Sequence, residues 1–403
     1  MPLPLEGVRV LDLTNVMAGP YCSMVLGDLG AQVIKVESLE GDSTRNFEPK
    51  VNDESYCFAV LNRNKKSIAV DLKAPRGRDI VLRLAAHSDI AIENFRPGVV
   101  RKLGLDHESL RQVNPALIYA SMSGFGQTGP YGRKGGFDIV AQGVTGIMMM
   151  TGYPGGRPAK VGIAMNDIAC GVTTLYGILG AYIGRLRHGT GQYLETSLME
   201  AGLAWSIWEF SAWFGAGELP TPTGTRHRRS APYQAYRCRD GYVTVGAGSD
   251  KLWRTFATEV CGRPDWIDDP RFARQALRVR NADVLEAGIE RIFASADVAS
   301  WIARLDAAGV PGGPVYGYDQ ALADPQVQAR RMVVDLEHPR IGAMKTIGLP
   351  IKSDGELTAI RSPAPLLGQH SREVLLDIGY SDADARALLA AGVVHQTEVA
   401  KCM

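Results

Sequence analysis

Apolar residues in the first half of the chain gather into short β-branched runs, separated by stretches whose apolar positions repeat at helical spacing. Val8 to Thr14 (VRVLDLT), Ala31 to Glu37 (AQVIKVE), Ser67 to Leu72 (SIAVDL), Asp89 to Glu93 (DIAIE) and Ala116 to Ser121 (ALIYAS) read as strands. Tyr21 to Leu29, Pro75 to His87 and Asp106 to Val113 read as helices, the second with proline at its first position. A strand, helix, strand opening that keeps repeating predicts a parallel sheet and a doubly wound, Rossmann-like α/β domain.

The pattern then concentrates in Val161 to Leu186, VGIAMNDIACGVTTLYGILGAYIGRL. Gly162 to Met165 reads as a short strand, and an almost uncharged helix follows until Arg185 and Arg187. Asp167 stands at the start of that helix, where two readings are open: an N-cap or a reactive carboxylate. Tyr193 to Ser197 predicts another strand and Leu198 to Phe214 a helix carrying Trp205, Trp208 and Trp213.

Gly215 to Pro232 is rich in Gly, Pro, Thr and Arg and marks a boundary. A hairpin (Tyr233 to Tyr236, Tyr242 to Ala247) and helices over Asp250 to Val260, Asn281 to Ser295 and Ala299 to Ala308 follow, which predicts a smaller α+β domain. Ala321 to Arg331 links onward to strands at Met332 to Leu336 and Met344 to Leu349 and to helices at Arg372 to Gly379 and Ser381 to Ala391. The expected organisation is a large domain over 1–214, a small domain with linkers over 215–331, and a segment returning to the large domain over 332–403.

Composition narrows the chemistry. In 403 residues, 44 Lys plus Arg nearly cancel 43 Asp plus Glu, so no long-range field argues for nucleic acid or an anionic membrane. The cysteines (Cys22, Cys57, Cys170, Cys238, Cys261, Cys402) have no metal-ligand spacing and suit reduced thiols in a cytoplasmic protein. The start, MPLPLEGVRVLDL, reads as mature protein rather than a signal peptide. Ile168 to Leu186 is long enough to span a bilayer, but its glycines, threonines and tyrosines fit a buried helix whose small residues admit a second backbone.

Gly124 to Gly129 (GFGQTG) matches a dinucleotide fingerprint, yet Pro130, Gly132, Gly135 and Gly136 stand where that fingerprint needs a helix, and the first turn is TNVMAGP. Glu37, in the place of a ribose-binding acid, has no glycine loop before it, so an NAD-dependent oxidoreductase is a remote alternative. Arg63, Lys65 and Lys66 in NRNKKS would suit a phosphate in a turn. NFRPG, Asn94 to Gly98, follows a strand and so lies on the ligand edge of the sheet, with Arg96 as a phosphate fork, Phe95 as a face for a purine and Lys102 beyond.

These stretches, taken with GVRVLDLT, AGPYCSMVLGDLGAQVIKVE, ENFRPGVVRKLGL, SGFGQTGPY, GGFDIVAQGVTGIM, VGIAMNDIACG, GTGQYLETSLMEA, APYQAYRCRDGY and LGQHSREVLLDIGY, carry a resemblance that runs over nearly the whole chain. The chain resembles the class III CoA-transferases, the group that includes formyl-CoA and carnitine CoA-transferases. The resemblance implies that Asp167 accepts the acyl group. It also implies that CoA lies against Met17, Ala18, Leu72, Lys73, Asn94, Phe95, Arg96 and Lys102, and that the protein is an interlocked homodimer. CoA and acyl-CoA would be substrates, small carboxylic acids the other partners, and neither a tightly bound cofactor nor a metal is expected.

The expected reaction moves CoA from an acyl-CoA to a free acid through an aspartyl anhydride and an aspartyl-CoA thioester. A carboxylate with a pKa near ~4 is ionised at neutral pH and needs no general base, unlike Ser or Cys. Some relatives carry Gln where Met17 stands. VGAGSD, Val245 to Asp250, is the nearest counterpart of a shielding glycine loop. Arg157, Lys160, Arg226, His227, Arg228 and Arg229 could grip a second carboxylate, which makes succinyl-CoA or another dicarboxylyl-CoA a candidate. The alternative within the superfamily, an α-methylacyl-CoA racemase, resembles GHDINY where this chain reads GGFDIV; Phe137 there cannot carry a proton.

Overall fold

The computed structural model describes residues 3–353, 356–357 and 360–398; Cys402 lies outside them. Five strands and two of the helices between them open the chain: β1 (Arg9–Asp12), α1 (Ala18–Asp28), β2 (Gln32–Glu37), β3 (Lys65–Val70), α2 (Pro75–Ala86), β4 (Ile90–Glu93) and β5 (Ile118–Ser123). Next come α3 (Asp138–Val144), α4 (Met165–His188), β6 (Tyr193–Ser197), α5 (Leu198–Trp205) and α6 (Ile207–Ala216). β7 (Tyr233–Arg237), β8 (Tyr242–Gly246), β9 (Gly312–Pro314), β10 (Val333–His338), β11 (Gly342–Ile347) and β12 (Val394–His395) complete the strands used below.

The main sheet has seven strands in the order β12-β3-β2-β1-β4-β5-β6, parallel throughout except for β12, which pairs antiparallel with β3. Strands covered on both faces need apolar side chains on both, and β1, β4 and β5 are buried from end to end apart from Arg9. One core packs α1 and α4 on one face; the other packs α2 and the C-terminal helices Ser371–Asp377 and Asp382–Ala390 on the opposite face. The fold is therefore mixed α/β with a mainly parallel central sheet, and strand order reverses between β1 and β4.

The chain divides into two compact units, Met1–Ile147 with Lys160–Glu218 and Gln326–Met403, and Met148–Ala159 with Leu219–Pro325. The second unit has its own core around Tyr236, Trp253, Phe256 and Phe293, beneath the antiparallel sheet β9-β8-β7. In the first, the returning segment is tied down by Arg63, which donates to Thr346 Oγ1 at 3.0 Å and to the Ile347 carbonyl at 2.7 Å.

Two local expectations change. No strand forms at Gly162 to Met165; α4 begins at Met165 itself. The Trp-bearing helix is broken at Ser206, whose hydroxyl donates to the Gly202 carbonyl at 2.9 Å and whose backbone opens a new helix, α6.

Candidate active site

The reversal of strand order opens a crevice at the carboxyl ends of β1 and β4, the general ligand position of open parallel sheets. A cleft of about 270 Å³ lies there. Asn15, Val16, Met17 and Ala18 form one wall, Asn94, Phe95, Arg96 and Pro97 a second, and Ser123, Gly124 and the segment Lys134–Phe137 a third, with Asp167 and Leu198 closing it.

Each wall has a local cause. The first two are sewn together by a reciprocal amide pair: Asn15 N–H donates to Asn94 Oδ1 at 2.8 Å, and Asn94 Nδ2 donates to the Asn15 carbonyl at 2.7 Å. Val16 is held at φ 68°, a strained value for a β-branched residue, with its N–H on Asp42 Oδ1 at 3.3 Å. The third wall depends on two glycines: a Cβ on Gly124 would lie 2.6 Å from the Gly136 Cα, so only a Gly pair lets these backbones cross. This explains part of GFGQTG without any nucleotide, and no helix follows it.

Asp167 reaches the cleft because α4 crosses α1 closely. A Cβ on Gly171, one turn after Asp167, would lie 2.7 Å from the Ala18 carbonyl oxygen, so the missing side chain sets the approach. Asp167 is not the helix cap. Asp138 takes that role, its Oδ1 accepting from Asn166 N–H at 2.8 Å and Asp167 N–H at 3.4 Å, while its Oδ2 accepts from Gln142 Nε2 at 2.7 Å. Among the described residues no hydrogen bond reaches the Asp167 carboxylate. Burial, and then the Asp138 charge, push Asp167 up to about 7. The expectation of an ordinary carboxylate near 4 is therefore corrected: at neutral pH the acid of the free site is about half protonated.

Of the residues singled out by sequence, Met17, Ala18, Asn94, Phe95, Arg96, Phe137 and Asp167 meet in this cleft. Leu72, Lys73 and Lys102 do not line it; Leu72 packs against the core behind β3, and Lys73 and Lys102 are exposed. The NRNKKS reading is corrected. Arg63 is buried on Asp28 at 2.6 Å and Lys65 on Asp12 at 3.0 Å, and Lys66 pairs with Glu373, so these charges serve the protein interior and its surface. Glu37 is likewise taken, by Arg45 and the Ser67 hydroxyl. Asn15, Ser123, Lys134 and Asp138 were missed, although Ser123 and Asp138 stood within the quoted motifs SGFGQTGPY and GGFDIVAQGVTGIM.

In the smaller unit, Arg226 is held by Asp283 and Glu286, and Arg228 donates to the carbonyls of Thr221 and Met150, so neither carries an uncommitted charge. Val245–Asp250 takes in the last two residues of β8 and the turn that follows it, up to the helix that starts at Asp250. Its base is pinned by the fully buried Arg278, which donates to the carbonyls of Gly248, Ala231 and Phe272 and to Asp250.

Residues 5–371 match the family model described as CoA-transferase family III. The chain belongs to CoA-transferase family III. It is 37% identical over 399 residues to the succinyl-CoA:glutarate CoA-transferase of Mus musculus, covering 98% of this chain and 91% of that protein. It is 38% identical over 354 residues to the acetyl-CoA:oxalate CoA-transferase of Acetobacter aceti, covering 87% and 90%. A CaiB/BaiF family protein from Brucella suis, known from its crystal structure, superposes with a TM-score of 0.84 at 36% identity over 94% of this chain and 100% of that one. The chain is thus an enzyme that transfers CoA, with CoA thioesters as substrates.

Proposed function

We propose that Asp167 is the covalent acyl acceptor and that the cleft holds the thioester end of acyl-CoA. The observation that carries this is the pairing of a half-buried carboxylate free of hydrogen bonds with a switch-point cleft, in a chain that moves CoA. An Asp167 oxygen attacks the donor thioester carbon, the C–S bond breaks, and CoA leaves as thiolate. The thiolate then adds to the aspartyl carbonyl of the mixed anhydride, expelling the donor carboxylate and leaving an aspartyl-CoA thioester. An acceptor carboxylate attacks that thioester and releases CoA thiolate; the thiolate takes the acceptor acyl group and frees Asp167. The raised basicity of Asp167 makes its ionised form a stronger nucleophile than an ordinary aspartate.

Met17, Ala18, Asn94, Phe95 and Arg96 are assigned to CoA contact. Arg96 and Lys134 give the cleft two cations for phosphates or for a second carboxylate, in keeping with dicarboxylic acids as the exchanged acids, succinate or glutarate among them. Each oxyanion in the sequence would draw on backbone N–H groups around the cleft, each worth about 3 kcal/mol. Besides Asp167, the only titratable side chains on the cleft walls among the described residues are Arg96 and Lys134, and Phe137 occupies the place of a racemase base, which disfavours α-proton exchange.

The homodimer is also proposed. α4 leaves Tyr176, Ile183 and Leu186 exposed, α6 leaves Ile207, Trp208, Trp213 and Phe214 exposed, and a Cβ on Gly180 or Gly184 would meet nothing within 4 Å. Such an apolar, small-residue face fits a second copy packed against it.

The deciding experiment mixes the enzyme with an acyl-CoA, digests it and weighs the Asp167 peptide. An adduct on that peptide, absent from Asp167→Ala, is expected, together with loss of transfer and retention of CoA binding in the variant. Wild-type transfer by Asp167→Ala, or deuterium entering the α-carbon without transfer, would overturn the reading. A monomer in sedimentation would overturn the dimer.

A further inference from the structure

Four acids buried deep in the large unit, Asp12, Asp28, Glu37 and Asp42, each face a cation within 3.0 Å. Glu93 does not. It is the last residue of β4, 2% exposed, and no Lys, Arg or His ion pair reaches it among the described residues. Its carboxyl has two partners instead. Oε2 accepts the Phe95 N–H at 2.9 Å, and Oε1 meets the Ser121 hydroxyl on β5, which in turn receives Gln127 Nε2 at 2.8 Å. Burial without a counter-ion raises the group to about 7.

The Phe95 amide is the point where the chain leaves the sheet and becomes the second wall of the Asp167 cleft. Behind that wall lies a second cavity, floored by Glu93, Ser121 and Gln127; Pro97 is common to the linings of both. The wall is thus a loop with a cavity on either side at Pro97, held by the packing of Phe95 against the core, by the Asn15–Asn94 amide pair and by the carboxyl of Glu93.

We propose that Glu93 is a positioning residue for CoA transfer: its carboxyl, through the Phe95 N–H and the Ser121 hydroxyl, holds the Asn94–Pro97 loop in the shape that receives CoA. The role requires an acceptor for the amide and a partner for the hydroxyl, and no net charge. Either protonation state supplies both, because the hydroxyl of Ser121 can give or receive the shared proton. Glutamine supplies both as well; leucine supplies neither.

This rests on the cleft being the CoA site, so Phe95→Ala is the control for that reading. The full-length enzyme is assayed at pH 7 with acyl-CoA varied and the acceptor acid saturating, alongside thermal melts. Phe95→Ala is expected to raise the KM for acyl-CoA. Glu93→Gln is expected within about twofold of wild type in both constants, whereas Glu93→Leu raises KM about tenfold with kcat changed less than threefold, the equivalent of one lost hydrogen bond. If Phe95→Ala raises KM and Glu93→Leu does not, or if Glu93→Leu lowers kcat at unchanged KM, the positioning role is wrong and the cleft assignment stands. If Phe95→Ala leaves KM unchanged, the cleft assignment falls. Should Glu93→Leu fail to fold, Ser121→Ala decides, with a KM rise supporting the role and an unchanged KM overturning it.

Discussion

Two groups of acids in the large unit behave in opposite ways. Beneath β1, β2 and β3, the acids and cations interlock: Asp12 with Lys65, Asp42 with Lys35, Glu37 with Arg45, Asp28 with Arg63. Burial alone would raise Asp12, but Lys65, Lys35 and the hydroxyls of Ser23 and Thr14 bring it down to about 2. Asp167, on α4, and Glu93, at the end of β4, have no cation partner among the described residues, and both rise to about 7. The side chain is one chemical type; the neighbours decide whether it holds the fold or stays reactive.

The interlocked group also serves the cleft at a distance. Lys35 Nζ donates to the Thr14 carbonyl at 2.7 Å, and Asp42 accepts from the strained Val16 N–H, so the wall Asn15–Ala18 stands on a buried ion pair. Arg63 and Lys65, which suit a phosphate by sequence, are thus committed to carboxylates inside the protein.

The sharpest way to break the contrast is to neutralise one acid from each side. Asp167→Asn should reduce transfer by at least about a thousandfold, because a covalent nucleophile has no substitute. Its effect on stability should have the opposite sign. The folded-state pKa lies above the unfolded value of 3.8, so between about pH 4 and pH 7 the unfolded chain gives up its proton while the folded one keeps it, and stability falls as pH rises. The shift corresponds to at most about 4 kcal/mol, and water in the cleft reduces it, so above pH 7 the variant should melt higher by the equivalent of about 1–3 kcal/mol. Thermal melts at pH 5 and pH 8 check this; a variant less stable than wild type at pH 8 would contradict an unpaired acid.

Lys65→Met is the matching change on the paired side. It leaves Asp12 buried without its closest cation and should cost about 3–5 kcal/mol at pH 7. For Asp12 the folded-state pKa lies below the unfolded 3.8, so its contribution is present above about pH 4 and is lost as pH falls toward 2. The variant should lose that acid-side slope in denaturant titrations taken across pH 2 to 5.

How much of this was readable in advance follows from which forces are local. The parallel strands were legible because burial on both faces forces continuous apolar runs, and Tyr193–Ser197 was found with its observed ends. The start of α4 was misplaced, because its cap comes from Asp138, across a tertiary contact that leaves no mark in the NDI sequence. NRNKKS was misread for the same reason: the spacing of its cations is local, but Asp12 and Asp28 lie 53 and 35 residues away. Asn94, Phe95 and Arg96 line the cleft because the end of a parallel strand is a ligand edge whatever the side chains are. Leu72 and Lys73 end a strand too, but β3 lies away from the reversal between β1 and β4, and strand order is not written in any single strand.

The smallest expected effect tests what sets the Asp167 pKa. Burial is the larger cause and the Asp138 charge the second, so Asp138→Asn should lower the Asp167 value only part of the way toward an ordinary aspartate. The amide oxygen of asparagine can still accept the Asn166 and Asp167 N–H groups, so the helix start should survive. In wild type, kcat/KM for acyl-CoA should rise with pH through about 7 as the free enzyme's Asp167 ionises, and level off above it. In Asp138→Asn this limb should move to lower pH, raising the rate at pH 6 by about twofold relative to the plateau. A limb that stays in place would mean that burial alone sets the pKa; a limb that moves up would mean that Asp138 supports the charged form and that the two acids do not repel.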